Sequence, residues 1–254
     1  ARDTRTAALL GGSADLLKNL GLWPELARDM RPLDAIRIVD RRGGPIPVPE
    51  ILFRASEIGH EAFGYNVANA PLVDCLHSAV SSHSSITLHP STSTRIAPSE
   101  THVDVEAADG ACFRVKLLAA ADGRASPARD AMGTAVDRHD YPQVAITITV
   151  AHTRAHGNIS TEYHRPAGPL TSVPSPDFAG APASSIVWVE TPDEAARLMA
   201  LDETAFIAEL SSHLAPLLGT LRPLSRRASF PLIQLRARTL GARRIALIGE
   251  AGHV

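Results

Sequence analysis

The hydrophobic and polar positions of this chain follow two different periods, and each period predicts a different element. Leucines at helical spacing predict a helix over residues 3–20 that ends at Gly21. Apolar residues at every second position predict a strand over residues 141–151. Because segments of both kinds occur along the chain, the pattern indicates a mixed α/β protein.

Shorter segments carry the same two signals. Further helices are predicted at residues 24–29, 71–80, 127–132, 191–199 and 202–214. Further strands are predicted at residues 35–40, 85–89, 92–97, 101–107, 112–119, 159–164, 170–173, 185–190, 229–235 and 245–248. Residues 174–182 are rich in proline and glycine and predict a loop, and the change in pattern near residues 135–140 predicts an internal boundary.

Composition limits the classes of function. The chain has 254 residues, 44% of them hydrophobic and 20% charged, which suits one large domain or two small ones. Its net charge of −2 gives no basic field for nucleic acid, so no nucleic-acid partner is expected. Two cysteines, Cys75 and Cys112, support neither a disulfide framework nor a zinc site, and we interpret them as a buried, reduced pair in a cytoplasmic protein. Apolar runs are too short for a membrane-spanning helix.

Two apolar segments end in a glycine beside an acid. Residues 117–121 lead into Asp122-Gly123, and residues 245–248 lead into Gly249-Glu250. Glycine lets the backbone approach a ligand closely, and a carboxylate accepts hydrogen bonds from hydroxyl groups. We interpret the two strand ends as halves of one site for a polar ligand.

These residues carry a resemblance to a known family. Residues 121–129, ADGRASPAR, resemble the A-D-G-x-x-S-x-x-R motif of the flavin-dependent aromatic hydroxylases. Residues 247–253, LIGEAGH, resemble the family's second motif, usually G-D-A-A-H, with glutamate in place of aspartate. Segments that fit the branch containing ubiquinone-biosynthesis hydroxylases are residues 3–9 with 20–23, residues 63–72 and residues 168–174. The matches keep the family's order along nearly the whole chain.

The resemblance implies an α/β fold in which a Rossmann-like FAD-binding domain of the glutathione-reductase type is interleaved with a mostly antiparallel substrate sheet carrying helices. The FAD-binding domain would comprise residues 1–40, 64–135 and 240–254, and the substrate domain residues 41–63 and 136–239. The family's G-x-G-x-x-G turn is expected before Ala1, and the loop that follows the second motif is expected after Val254, so this chain is expected to hold a partial FAD-binding domain.

The resemblance also implies a set of cofactor-binding residues. These are Arg5, Asn69, Asp122, Gly123, Arg129, Gly249, Glu250 and Ala251. Glu250 would hydrogen-bond the ribityl chain of FAD, and the Asp122 segment would serve the pyrophosphate. No side chain is assigned a catalytic role, because the cofactor carries the chemistry. No metal site is expected, since His152 and His156 lack a cysteine or carboxylate at ligand spacing.

The function implied by the resemblance is hydroxylation of an aromatic ring with FAD, NAD(P)H and O2. In this branch the substrate would be a polyprenylated phenol of ubiquinone biosynthesis, bound by residues 141–150, Tyr163 and residues 170–174. Such an enzyme is expected in the cytoplasm, associated peripherally with the inner membrane or with a biosynthetic complex. Two alternatives stay open: a soluble hydroxylase of a small phenol or secondary metabolite, and a non-catalytic flavoprotein-like module.

Overall fold

Strands predominate in the computed structural model, which describes residues 5–43 and 48–254. The strands are β1 (Thr6–Leu10), β2 (Met30–Pro32), β3 (Ala35–Asp40), β4 (Ile51–Arg54), β5 (Gly64–Ala68), β6 (Ser93–Pro98), β7 (Val103–Ala107), β8 (Cys112–Val115), β9 (Leu118–Ala120), β10 (Val136–His152), β11 (Ile159–His164), β12 (Leu170–Phe178), β13 (Ala181–Glu190), β14 (Leu221–Pro223), β15 (Ala228–Ala237), β16 (Gly241–Ala242) and β17 (Ile245–Leu247). The helices are α1 (Gly11–Asn19), α2 (Trp23–Leu26), α3 (Asn69–Ser82), α4 (Pro127–Met132), α5 (Pro192–Ala200) and α6 (Glu203–Leu218). No helix in the described ranges is both long and apolar enough to span a bilayer.

These elements form two units. The first is drawn from residues 1–86 and 142–230, and the second from residues 87–141 and 231–254. The resemblance implies a different division, into a cofactor domain and a substrate domain. That division is defined by function, and it stays a prediction.

A large sheet organises the first unit, with strand order β14-β10-β13-β12-β11-β3-β4 and β15 pairing on β10. Because side chains alternate between the two faces along β10, Ile146, Ile148 and Val150 all point to the same face. They lie in a core that also contains Phe206 and Leu210 of α6. Burying each such side chain stabilises the fold by about 1.5–3 kcal/mol. The predicted strand at residues 141–151 is therefore confirmed, and it extends to both sides.

A small sheet, β1-β5-β2, packs with α1 and α3 in the same unit. The helix predicted from residue 3 is wrong for residues 6–10, which form β1 and pair antiparallel with β5, Thr6 opposite Ala68. Residues 3 and 4 lie outside the described residues. Helix α1 begins only at Gly11, because this strand pairing satisfies the backbone that the leucine spacing had assigned to a helix.

The proline-rich loop predicted at residues 174–182 is also wrong. Strands β12 and β13 continue through it and meet in a tight turn at Ala179-Gly180, where both residues have positive φ, +50° and +79°. The register shifts between Ser175 and Phe178, so Pro176 falls where a missing N–H does not interrupt regular pairing.

Side-chain caps fix the two helices that cover the large sheet. The Thr191 hydroxyl accepts a hydrogen bond from the Glu194 amide at 3.4 Å, and Asp202 accepts one from the Ala205 amide at 2.7 Å. The Arg227 guanidinium donates to the carbonyl oxygens of Leu198 at 3.0 Å and Leu201 at 2.6 Å, which closes the C-terminal end of α5. Both predicted helices are confirmed, and α6 continues four residues further, through Pro216.

The second unit contains two three-stranded sheets, β6-β7-β8 and β16-β17-β9. Asp109-Gly110 forms the predicted hairpin turn between β7 and β8. The strand predicted at residues 85–89 is wrong: the segment pairs with none of the described strands, and its Ile86 and Leu88 side chains stay 45% and 48% exposed. The strand predicted at residues 112–119 is divided into β8 and β9, which belong to different sheets.

The cysteines are both free, and only one of them is buried. Cys75 lies in the core of the small sheet, whereas Cys112 is exposed on β8. The expected buried pair is therefore wrong for Cys112.

Two glycines give a matched test of this packing. A Cβ at Gly64 would meet the carbonyl oxygen of Leu9 across the β1–β5 pair, whereas a Cβ at Gly12, inside α1, would meet nothing within 4 Å. We expect Gly64→Ala to lower the free energy of unfolding by about 1–3 kcal/mol and Gly12→Ala to raise it by about 0.5–1 kcal/mol. Urea unfolding followed by circular dichroism measures both, and equal stability of the two variants would contradict the β1–β5 pairing.

Candidate cofactor site

The two glycine–acid motifs follow neighbouring strands of the second unit. Strands β9 and β17 run parallel, with Leu118 opposite Ile245 and Ala120 opposite Leu247. The Ile248 amide continues the ladder and donates to the Ala120 carbonyl oxygen at 2.8 Å. Because the strands are parallel and in register, the segments that follow them emerge at the same edge of the sheet. The structure thus brings together two motifs that lie half a chain apart.

The first motif builds the start of α4. The Asp122 carboxylate accepts a hydrogen bond from the Ala128 amide at 3.0 Å, and the buried Ser126 hydroxyl accepts one from the Arg129 amide at 3.0 Å. Pro127 occupies the first helical position, where its missing N–H costs nothing. Asp122 and Ser126 therefore accept hydrogen bonds from amides at the start of the helix. The Ser-Pro pair signals this capping role in the sequence, but it was not predicted.

Arg129 ties the two motifs to each other. Its guanidinium is buried and donates to the carbonyl oxygen of Ala251 at 3.1 Å and to that of Arg124 at 3.0 Å. The first acceptor belongs to the segment after β17 and the second to the segment after β9. The planar fork of arginine can serve both carbonyl groups at once, which a lysine cannot do with the same geometry.

The two glycines shape an open cradle between these segments. Gly123 has φ +84° and Gly249 has φ +59°, a backbone conformation that favours glycine. A Cβ built at either position would meet nothing within 4 Å, so the space beside both glycines is clear of described atoms. The protein backbone can therefore approach a bound molecule here. This geometry fits FAD, the cofactor that the resemblance implies.

Glu250 supplies a carboxylate beside this cradle. Its side chain is 54% exposed and lies 3.8 Å from the guanidinium of Arg124. An exposed pair at that distance contributes at most about 1 kcal/mol to stability. The carboxylate consequently keeps most of its acceptor capacity for a ligand, whereas Ala251 is buried and contributes its carbonyl oxygen to Arg129.

The remaining predicted cofactor residues, Arg5 and Asn69, lie in the first unit. The Asn69 amide donates to the Arg5 carbonyl oxygen at 3.0 Å, at the end of the β1–β5 pair. The Arg5 guanidinium lies 5.2 Å from the centre of the Phe230 ring. The structure thus places Arg5 and Asn69 side by side, and their contact with a cofactor stays a prediction.

The histidines that invited comparison with metal sites have other roles. His152 is buried, with one ring nitrogen 3.0 Å from the Ser184 hydroxyl and the other 2.8 Å from the Arg154 carbonyl oxygen. Burial lowers the pKa of both His152 and His156, so each is held neutral. Within residues 5–43 and 48–254, no group of three or more histidine, cysteine or acidic side chains could hold a metal ion.

The predicted substrate-lining residues divide between the two faces of the large sheet. Tyr163 and Leu170 are buried in the core beneath α6 and also line a cavity beside that helix, so their contact with a substrate stays a prediction. Thr171 and Val173 alternate with Leu170 and turn to the opposite face, where they are half-buried. Strand periodicity could have separated these residues, because adjacent positions point to opposite faces.

Comparison with known proteins gives two groups of similar molecules. The ubiquinone hydroxylase UbiL of Rhodospirillum rubrum is 33% identical over 252 residues, which cover 99% of this chain and 57% of that protein. The 3-demethoxyubiquinol 3-hydroxylase of Escherichia coli is 28% identical over 253 residues, which cover 99% of this chain and 62% of that protein. The chain thus spans about three fifths of the length of these relatives.

The fold has solved counterparts. The crystal structure of PqsL, a probable FAD-dependent monooxygenase from Pseudomonas aeruginosa, matches with a TM-score of 0.79 and 19% identity, covering all of this chain and 70% of that one. At this identity the match shows a shared fold of sheets and helices. No protein-family model matches the chain.

The Arg129 contacts predict a specific dependence of stability on this side chain. We expect Arg129→Met to lower the free energy of unfolding by about 2–3 kcal/mol, because two carbonyl groups lose a charged donor. The free energy of unfolding of Arg129→Lys should lie between that of Arg129→Met and that of the unmodified protein. Arg124→Met is the matched control and should change stability by less than about 0.5 kcal/mol. Urea denaturation measures all three, and equal losses for Arg129→Met and Arg124→Met would show that Arg129 does not tie the motifs.

Proposed function

Because the chain fits the ubiquinone-hydroxylase branch of the class A flavin-dependent monooxygenases, we propose that the protein hydroxylates an aromatic ring with FAD, NAD(P)H and O2. The names of the relatives support a substrate from ubiquinone biosynthesis, which we take to be a polyprenylated phenol. The proposal concerns the activity of a full-length protein, and the chain spans about three fifths of the length of those relatives.

One observation carries the proposal: two parallel strands end at one sheet edge in Gly123 and Gly249, with open space beside both glycines. FAD is a long dianion with ribityl and ribose hydroxyl groups, so it needs close backbone approach and at least one carboxylate. The cradle offers the first requirement and Glu250 the second. The parallel pair followed by α4 is also the arrangement that a Rossmann-like FAD-binding domain requires, and we infer such a domain here.

FAD, when bound and reduced by NAD(P)H, supplies the activation of O2 for hydroxylation. The residues of this chain would bind the cofactor and position it. Gly123 and Gly249 would let the protein backbone approach the cofactor closely. The Glu250 carboxylate would accept hydrogen bonds from the hydroxyl groups of the cofactor. Asp122 and Arg129 would act indirectly, since both are engaged in holding α4 and the second motif in place. For Arg5 and Asn69, a contact with the cofactor stays a proposal that rests on the resemblance alone.

The open face of the large sheet is the surface we assign to the substrate ring. Thr147 lies opposite Val187, and Val187 lies opposite Thr171, so the three residues form one row across β10, β13 and β12. All three are half-buried on the face opposite α6. In this row the Thr171 hydroxyl can hydrogen-bond a phenol while Val187 packs on its ring, whereas the Thr147 hydroxyl is buried.

A polyprenylated substrate would be drawn from a membrane, so we further propose peripheral association with a membrane from the cytoplasmic side. Leu10, Leu16 and Leu20 are 65%, 58% and 58% exposed around α1, which gives the first unit apolar surface for this contact. Contact with a biosynthetic complex would use the same type of surface.

Flavin binding and turnover test the proposal. The full-length protein should purify with FAD absorbance, or acquire it when FAD is added, and should oxidise NAD(P)H faster with a polyprenylated phenol than with the same phenol lacking the chain. A preference for the short phenol would favour the soluble hydroxylase, and no flavin under either condition would sink the enzyme assignment.

Glu250 gives the residue-level test. We expect Glu250→Ala to weaken FAD binding about 10- to 150-fold, since the loss of one charged hydrogen-bond acceptor costs about 1.5–3 kcal/mol. Glu250→Asp should retain binding, because it keeps the carboxylate. Asp130→Ala, an exposed acid on α4 outside the cradle, is the control and should leave affinity unchanged. Quenching of flavin fluorescence gives the dissociation constants, and equal affinity of Glu250→Ala and Asp130→Ala would remove Glu250 from the site.

A further inference from the structure

A cavity lies in the first unit, beside α6 and the residues that follow β3 and β11. Its volume is about 340 Å³, and its lining includes Arg41, Tyr163, Arg165 and His213. At ~30 Å³ per water molecule, this is room for roughly eleven waters. The cavity can therefore hold a small organic molecule, and it shares no residue with the cofactor cradle or with the open face of the sheet.

Arg165 brings a buried positive charge to this cavity. Its Nη2 donates to the buried carboxylate of Glu190, which also accepts a hydrogen bond from Trp188 Nε1 at 2.8 Å. Its Nη1 is buried and has no hydrogen-bond partner among the described residues. Buried donors are usually hydrogen-bonded in folded proteins, so this group has a hydrogen-bonding capacity that the described residues leave unused.

Arg41 adds a second guanidinium at the same cavity. It lies 5.7 Å from the centre of the Tyr163 ring, and no carboxylate of the described chain lies within ion-pair distance of it. The acids near the cavity already have partners: Glu209 is paired with Arg197 at 2.6 Å and Glu50 with Arg37 at 3.8 Å. Arg165 is paired with Glu190, so the excess positive charge at the cavity is that of Arg41.

The rest of the lining is neutral or apolar. The structure gives the Tyr163 hydroxyl no hydrogen-bond partner within the described ranges. Burial, followed by the charge of Arg165, lowers the pKa of His213, so its ring is neutral at pH 7. Pro166 and Pro216 contribute apolar surface. A ligand that suits this lining has an anionic end and a compact apolar body.

We propose that this cavity binds a small organic carboxylate whose oxygens face Arg41 and Arg165 and whose apolar body rests against Pro166 and Pro216. Guanidinium groups bind carboxylates through paired charge-assisted hydrogen bonds, which give both affinity and orientation. The hydroxyl of Tyr163 and the ring of His213 supply further polar contacts. The site is independent of flavin binding and of the aromatic hydroxylation proposed above.

Trp188 provides a reporter at the cavity. Its ring lies 5.6 Å from the Arg165 guanidinium and 5.4 Å from the His213 ring, and the only other tryptophan of the chain is Trp23. In a Trp23→Phe background, the fluorescence of Trp188 should change saturably as benzoate is added. Calorimetry on the unmodified protein should give the same dissociation constant, in the millimolar range or tighter, so the result does not depend on how the Trp23→Phe variant folds.

Matched variants assign the binding to the cavity. Arg41→Gln should weaken benzoate binding at least tenfold. Arg28→Gln removes the same charge from a side chain that is 81% exposed and remote from the lining, and it should leave affinity unchanged. Inorganic phosphate should compete only weakly, because it lacks the apolar body. The proposal is overturned if benzoate shows no saturable binding, if both variants lose affinity equally, or if phosphate binds as tightly as benzoate.

Discussion

The buried guanidinium of Arg129 is the contact on which the candidate cofactor site depends. It donates to the carbonyl oxygen of Arg124 after β9 and to that of Ala251 after β17, so it joins segments that are more than a hundred residues apart. Parallel pairing of β9 and β17 aligns the strand ends, but pairing stops where the strands stop. Beyond that edge, Arg129 donates to both segments, and the exposed pair of Arg124 and Glu250 at 3.8 Å is a weaker link between them. The relative position of Gly123 and Gly249 follows from these contacts.

This arrangement divides the work among the motif residues. Asp122 and Ser126 satisfy the first amides of α4, and Arg129 satisfies carbonyl groups of both segments. These three side chains therefore hydrogen-bond within the protein. The groups available to a ligand are the backbone at the glycines and the exposed carboxylate of Glu250. The replacement of the usual aspartate by Glu250 fits this division, because an exposed side chain beside open space can accommodate one additional methylene without disturbing the core.

The sequence allowed most of the strands and helices to be predicted where periodicity and capping agree. The alternation in β10 and the caps of α5 and α6 are local signals, and all three elements are confirmed. Two of the errors share one cause. β1 looked like part of a helix because its partner, β5, lies almost sixty residues away, and the β12–β13 hairpin looked like a loop because its bulge tolerates proline. Long-range pairing decided these cases, and periodicity does not report it.

The glycine–acid motifs could be found without knowledge of the pairing, and the structure brings the two segments together at one sheet edge. What the motifs could not reveal is that Asp122 and Ser126 cap a helix, or that Arg129 spends its donors on backbone carbonyl groups. The cavity at Arg41 and Arg165 has no sequence signal at all, because its lining comes from four separate segments that only the folded sheet and α6 bring together.

Hydrogen exchange at the cradle is the most direct measurement of the central claim, that the two joined strand ends hold FAD. Backbone amides of Gly123, Gly249 and Glu250 should exchange at least tenfold more slowly when the full-length protein is saturated with FAD, because a ligand then covers them. The amide of Gly110, at the β7–β8 turn of the same unit, should exchange at the same rate with and without FAD. Unchanged exchange at all three cradle amides, with FAD bound elsewhere, would contradict the account.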